Sequence, residues 1–166
     1  MLELKKLVDG VVDSIPFDIT LSSEGISDDI VSGSAEVKGE VVNHSGFITL
    51  RGELVPDCVA VCGRCGREFK YTRPVKLYAK ITDKLANEDE DDFVLMTDYA
   101  VDLVELARSN WVLELPFRFL CKEDCRGLCP KCGADLNVAD CSCDLKERDH
   151  RWDALLGYFE EDKKDT

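Results

Sequence analysis

Apolar and polar positions alternate most regularly between residues 69 and 81. Phe69, Tyr71, Val75, Leu77, Ala79 and Ile81 fall on odd positions, and Lys70, Thr72, Lys76 and Lys80 on even ones. A period of two puts each set on its own side of a strand, so this run predicts a buried face and a basic, solvated face. Pro74 donates no ladder hydrogen bond, which places it at a sheet edge or a bulge. Shorter Val/Ile/Phe-rich runs predict strands over 14–21, 34–42 and 46–55. Asn43-His44-Ser45-Gly46 suits a hairpin turn between the last two. A further short strand is expected over 93–96.

The period then lengthens. Thr97 or Asp98 can N-cap a helix running from about 99 to 113. Val101, Val104, Arg108 and Trp111 lie on one side of it, Leu103, Leu106 and Ala107 widen the apolar stripe, and Pro116 stops it. The acidic run from Asp83 to Asp92 reads as a solvated loop. Trp152, Leu155, Leu156 and Phe159 suit a short amphipathic helix near the C-terminus. The expected fold class is α+β and mostly β. It comprises an antiparallel sheet or partly open barrel, one main helix and a C-terminal zinc-ribbon-like appendage. The expected divisions are a body over 1–117, a cysteine-rich segment over 118–145, and a helix and tail over 146–166.

Composition narrows the partners. The 166 residues are 45% hydrophobic, enough for a core, and carry a formal net charge of −13. That charge disfavours indiscriminate binding to nucleic acid or to an anionic membrane. No signal-peptide pattern and no bilayer-spanning apolar run is read in the sequence, so a reducing cytoplasm is the expected location. In such a compartment nine clustered cysteines suggest metal ligands rather than disulfides.

The spacings support this. In "CPKCG" at 129–133, two thiolates two residues apart can reach one tetrahedral ion from a tight turn. "CSC" follows at 141–143, so Cys129, Cys132, Cys141 and Cys143 form a closed four-sulfur set. This needs residue 142 in a turn, because a flat strand would point the two sulfurs apart. "CGRCG" at 62–66 is a second knuckle. Cys62 and Cys65 need two more ligands, and Cys121 and Cys125 are spare. Cys58 is the odd one out and reads as a small buried hydrophobe. One or two structural Zn²⁺ ions are therefore expected. An iron–sulfur cluster and a thiol redox switch are the rival uses of the same cysteines. A catalytic zinc would keep an open position and use histidine or carboxylate. His44 and His150 both lie in polar stretches, and no phosphate loop or nucleophile motif is present, so an enzyme is not expected.

"CGRCGREF" at 62–69 and "LPFRFLCKEDCRGLCPKCGADLN" at 115–137 resemble the YceD-like family of large ribosomal RNA subunit accumulation proteins. The resemblance implies a bacterial cytosolic, mostly β protein without enzymatic activity. It also implies support of 23S ribosomal RNA accumulation, with that RNA or large-subunit assembly factors as partners and no small-molecule substrate. Charge distribution agrees. Residues 58–80 carry six basic side chains against one acidic, and residues 118–133 four against two, within an otherwise acidic chain. If zinc joins Cys62 and Cys65 to Cys121 and Cys125, it gathers Arg64, Arg67, Lys70, Arg73, Lys76, Lys80, Arg118, Lys122, Arg126 and Lys131 into a candidate surface for RNA or an acidic partner. The alternatives are a zinc-based redox sensor or holdase, and a protein–protein adaptor.

Overall fold

A computed structural model describes residues 1–83 and 93–143. Most of the expected acidic loop and all of the expected C-terminal helix with Trp152 and Phe159 lie outside these residues. The chain divides into two compact units, Met1–Cys125 and Arg126–Thr166.

The first unit is built on one long hairpin. Strands β1 (Leu2–Glu3), β2 (Ser14–Ser22), β3 (Ile30–His44) and β4 (Phe47–Val61) are followed by β5 (Glu68–Tyr71), β6 (Val75–Thr82), β7 (Phe93–Leu95) and β8 (Ala100–Val101). The main sheet has the order β2-β3-β4-β6-β7, and β5 also pairs with β4. It is antiparallel except for the parallel β6–β7 pair. The turn between β3 and β4 falls where the sequence predicts it. Ser45 and Gly46 both have positive φ, at 53° and 91°, the backbone of a two-residue hairpin turn whose twist matches the strands. Asn43 Oδ1 accepts a 2.9 Å bond from the Gly46 N–H.

The regular run over 69–81 is two strands, not one. Pro74 lies between them. Residues Ile48–Leu54 of β4 pair with β6, and Cys58–Val61 pair with β5. The predicted alternation holds within each piece: Val75, Leu77, Ala79 and Ile81 are buried while Lys76 and Tyr78 are exposed. Gly39 and Gly52 face each other across the β3–β4 ladder. A Cβ on Gly39 would come within 2.6 Å of Phe17 Cζ, so the missing side chains leave room for the Phe17 ring on the core face.

Helix α1 (Lys5–Val8) and helix α2 (Leu103–Leu113) cover the core. Leu4 and Leu7 are fully buried, as are Ala107 and Trp111. The backbone C=O of Leu7 accepts a 2.8 Å bond from Asn43 Nδ2, which ties α1 to the hairpin. The main helix starts later than the sequence suggests. Asp102, not Thr97 or Asp98, is its N-cap, and its carboxylate accepts the Val104 and Glu105 N–H groups, both at 3.0 Å. Asp98 and Tyr99 instead turn with positive φ, and Ala100–Val101 pairs with Leu2–Glu3. Leu103, Ala107 and Trp111 are the buried stripe, whereas Val104 is 45% exposed.

Candidate metal centre

The β4–β5 connection is a knuckle. Gly66 takes φ 69° and its N–H donates to the Cys62 carbonyl at 2.8 Å, while the Cys62 N–H donates to the Arg67 carbonyl at 2.9 Å. The turn this makes holds Cys62 and Cys65 side by side. Residues 118–125 lie against it. The Gly63 N–H donates to the Phe119 carbonyl at 2.8 Å, and Arg64 donates to the carbonyl of Cys125 at 2.8 Å. Cys121 and Cys125 are thereby brought to the knuckle. Cys62 Sγ lies 3.8 Å from Cys125 Sγ, and Cys65 Sγ 3.8 Å from Cys121 Sγ.

These distances discriminate between uses. A disulfide needs about 2.0 Å, and all nine cysteines are free thiols. Four sulfurs each about 2.3 Å from one tetrahedral ion stand about 3.8 Å apart. All four ligand atoms lie within 4.8 Å of one another. An iron–sulfur core bonds its cysteines to separate irons and would spread them further. The donor set therefore fits one thiophilic ion, and four thiols with no open position fit a structural rather than a catalytic one.

The second unit repeats the device. Gly133 has φ 73°. Its N–H donates to the Cys129 carbonyl at 2.8 Å, and the Cys129 N–H to the Ala134 carbonyl at 2.8 Å. Cys129, Cys132, Cys141 and Cys143 again lie within 4.8 Å of one another. Residues 140–143 adopt no helix or strand, so Cys141 and Cys143 escape the opposed directions of a flat strand. The Arg126–Asp140 ion pair and the bond from the Arg126 N–H to Asn137 Oδ1 at 2.8 Å close the loop.

Electrostatics matches ligation. Burial raises the Cys62 thiol, but N–H groups of Cys121, Arg64 and Cys65 directed at its sulfur outweigh this and bring its pKa to about 6. N–H groups of Cys132 and Lys131 bring Cys129 to about 6. Backbone donors aimed at sulfur favour the thiolate a metal needs. By contrast, Cys65, Cys121, Cys141 and Cys143 stand above the ordinary thiol value. Burial and bonding to its neighbours push Cys121 to about 12.

Cys58 is outside both sets. It is 1% exposed, and its Sγ donates weakly to the Ser34 carbonyl at 3.5 Å.

The basic side chains sort into distinct settings. Lys70 pairs with Asp57 at 3.0 Å, Lys122 with Asp124 at 3.7 Å, and Arg126 with Asp140. Arg64 is spent on backbone carbonyls. Lys76 sits opposite Glu53, and Lys80 lies over the Phe93 ring at 5.3 Å. Arg67 and Lys131 flank the knuckle cysteines. Arg73 and Arg118 line a cleft with Phe69, Tyr71, Pro116, Phe119 and Leu120. The sequence reading missed this cleft. Its available signal is two arginines set among apolar and aromatic residues, Arg73 just after Phe69 and Tyr71 and Arg118 between Phe117 and Phe119.

Among the described residues, no helix is long and apolar enough to cross a membrane. No solved structure matches the chain. Uncharacterized proteins of Mycobacterium tuberculosis and Mycobacterium bovis are each 31% identical to it over 127 residues, covering 73% of this chain and 59% of theirs. The chain thus spans about three fifths of the length of these relatives. The chloroplastic large ribosomal RNA subunit accumulation protein YCED homolog 1 of Arabidopsis thaliana is 34% identical over 55 residues, 33% of this chain and 17% of its own. The family profile of the large ribosomal RNA subunit accumulation protein YceD matches residues 50–157, a span that holds both cysteine sets, and the chain belongs to that family.

Proposed function

We propose that this chain is a non-catalytic, zinc-stabilised cytoplasmic protein that supports accumulation of 23S ribosomal RNA during large-subunit assembly. The observation that carries the reading is the four-thiol cluster within the region matched to the family. It fastens residues 118–125 to the β4–β5 knuckle and so fixes the arginines of both segments on one body. Zinc is the ion of choice because four thiolates at tetrahedral spacing satisfy it without redox chemistry. The family bears the name of an accumulation protein rather than of an enzyme, and a closed four-sulfur site offers no position for a substrate. Its partner is the RNA itself or a large-subunit assembly factor.

The test is the ratio of 23S to 16S RNA in cells lacking the gene, complemented by wild type or by Cys62→Ser. The reading expects the ratio to fall on deletion, to recover with wild type and to stay low with Cys62→Ser. A normal ratio in the deletion strain refutes it.

A further inference from the structure

At the far end of β5, Phe69 and Tyr71 share one side of the strand, and Arg73, two residues past its end, lines the same cleft. Residues Pro116–Leu120 lie across from them and close a cleft of about 190 Å³. Its inner wall is aromatic. Tyr71 and Phe119 meet edge to face, centroids 5.0 Å apart at 82°, and are 8% and 3% exposed. Its rim is cationic. Arg73 and Arg118 are exposed, and neither forms an ion pair with an acidic side chain among the described residues. Arg118 is held in place by its stem, since Gly63 leaves room for it: a Cβ there would stand 2.8 Å from Arg118 Cγ.

A second observation points to a ligand. The Tyr71 hydroxyl is buried and has no hydrogen-bond partner. A buried phenol normally finds one. Burial raises its pKa while the Arg73 charge lowers it, so Arg73 lies within electrostatic reach of the hydroxyl.

We propose that this cleft binds one unpaired RNA nucleotide, its base against the half-buried Phe69 and Pro116 and its phosphate on Arg73 and Arg118, with the Tyr71 hydroxyl as a hydrogen-bond partner. This deepens the function proposed above and rests on it for the choice of RNA. Guanidinium forks suit phosphate oxygens. Aromatic walls suit unstacked bases, which is how single-stranded RNA is ordinarily held. The small volume excludes a duplex.

The test is fluorescence anisotropy of the full chain with a labelled single-stranded oligoribonucleotide. The same strand in a duplex, free nucleoside monophosphates and a phosphoserine peptide are the competitors. The single strand should bind best, with nucleoside monophosphates competing weakly. Arg73→Gln and Arg118→Gln should each weaken binding roughly tenfold or more, as expected for loss of a charge-assisted bond. Tyr71→Phe should weaken it a few-fold, and Lys38→Gln on the outer sheet face should change it little. Arg118→Lys keeps the stem over Gly63 and should fall between wild type and Arg118→Gln, which separates recognition from folding. Metal content and melting temperature check each fold. The proposal is overturned if the single strand does not bind, if duplex or phosphopeptide competes equally, or if both arginine variants bind like wild type. A normal 23S level on gene deletion would instead overturn only the parent reading, because the affinities decide the cleft by themselves.

Discussion

Cys58 and Cys62 are four residues apart, and each is 1% exposed, yet only one of them joins a cluster. The difference is backbone. Cys58 lies within β4, opposite Gly33, and its sulfur occupies the space a Gly33 side chain would need, 2.8 Å from an ideal Cβ there. Cys62 stands one residue beyond β4, where the chain turns and aims N–H groups at its sulfur. Cys58→Ala should therefore leave the metal content per chain unchanged, while costing about 1 kcal/mol for the emptied volume. Metal analysis with chemical denaturation checks both halves. Gly63 makes the opposite case. Gly63→Ala would drive a methyl into Arg118 Cγ, close to the backbone where little can give. It should destabilise the first unit by roughly 1–3 kcal/mol, in the range of overpacking, and quicken metal loss to a chelator, followed by a colorimetric metal indicator. Spacing alone marks Cys129, Cys132, Cys141 and Cys143. Joining Cys62 and Cys65 to Cys121 and Cys125 takes elimination, because 56 residues separate Cys65 from Cys121. The contact of Gly63 with Arg118 leaves no trace in sequence at all.

The two knuckles share one hydrogen-bond plan but sit in different surroundings. Cys62, Cys65 and Cys125 are buried against Phe69 and Leu120. In the other set Cys132 is exposed and Cys141 and Cys143 are half-buried. A site open to solvent gives a chelator or an oxidant direct access to sulfur. Metal should leave in two phases, the Cys129 set first. Cys129→Ser should lower the metal content from two to one with little change in melting of the first unit. Cys62→Ser should also remove one metal but lower that melting temperature by many degrees. A single phase, or equal thermal effects, would contradict the assignment. Elements were legible where the pattern is local. The turn at 43–46 and the alternation along β6 follow from a few adjacent residues. The start of α2 was not, because β8 is held by β1, about a hundred residues away. Helix α1, at four residues, is too short to show a period. The N-cap remains testable: Asp102→Ala should cost about 1 kcal/mol, a drop of a few degrees in melting temperature by calorimetry.

Net charge and local charge point in different directions at the scale of the molecule. On the outer sheet face Asp18, Lys38, Glu53 and Lys76 stand opposite one another in a row across four strands. The basic face expected from residues 69–81 is thus interleaved with acids from its neighbours, which sequence cannot foresee because it does not reveal register. Lys38 is held above its usual pKa by its bond to Glu36 and by Asp18, a face satisfied within itself. The acidic whole, at −13, disfavours a phosphate backbone, while Arg73 and Arg118 stand together with no ion pair to an acidic side chain among the described residues. Such a molecule should grip RNA through very few charges. For single strands the slope of log K against log salt is about −0.7 per neutralised phosphate. Engagement by Arg73 and Arg118 alone predicts a slope of about −1.4, whereas all ten basic side chains of the two positive segments would give about −7. Anisotropy titrations at several salt concentrations measure this directly, and Arg73→Gln should make the slope shallower by about 0.7. A steep slope untouched by Arg73→Gln and Arg118→Gln would place RNA on a broad basic surface. A shallow slope that halves with either arginine would mean that the cleft beside the four-thiol cluster is where this acidic protein admits a phosphate.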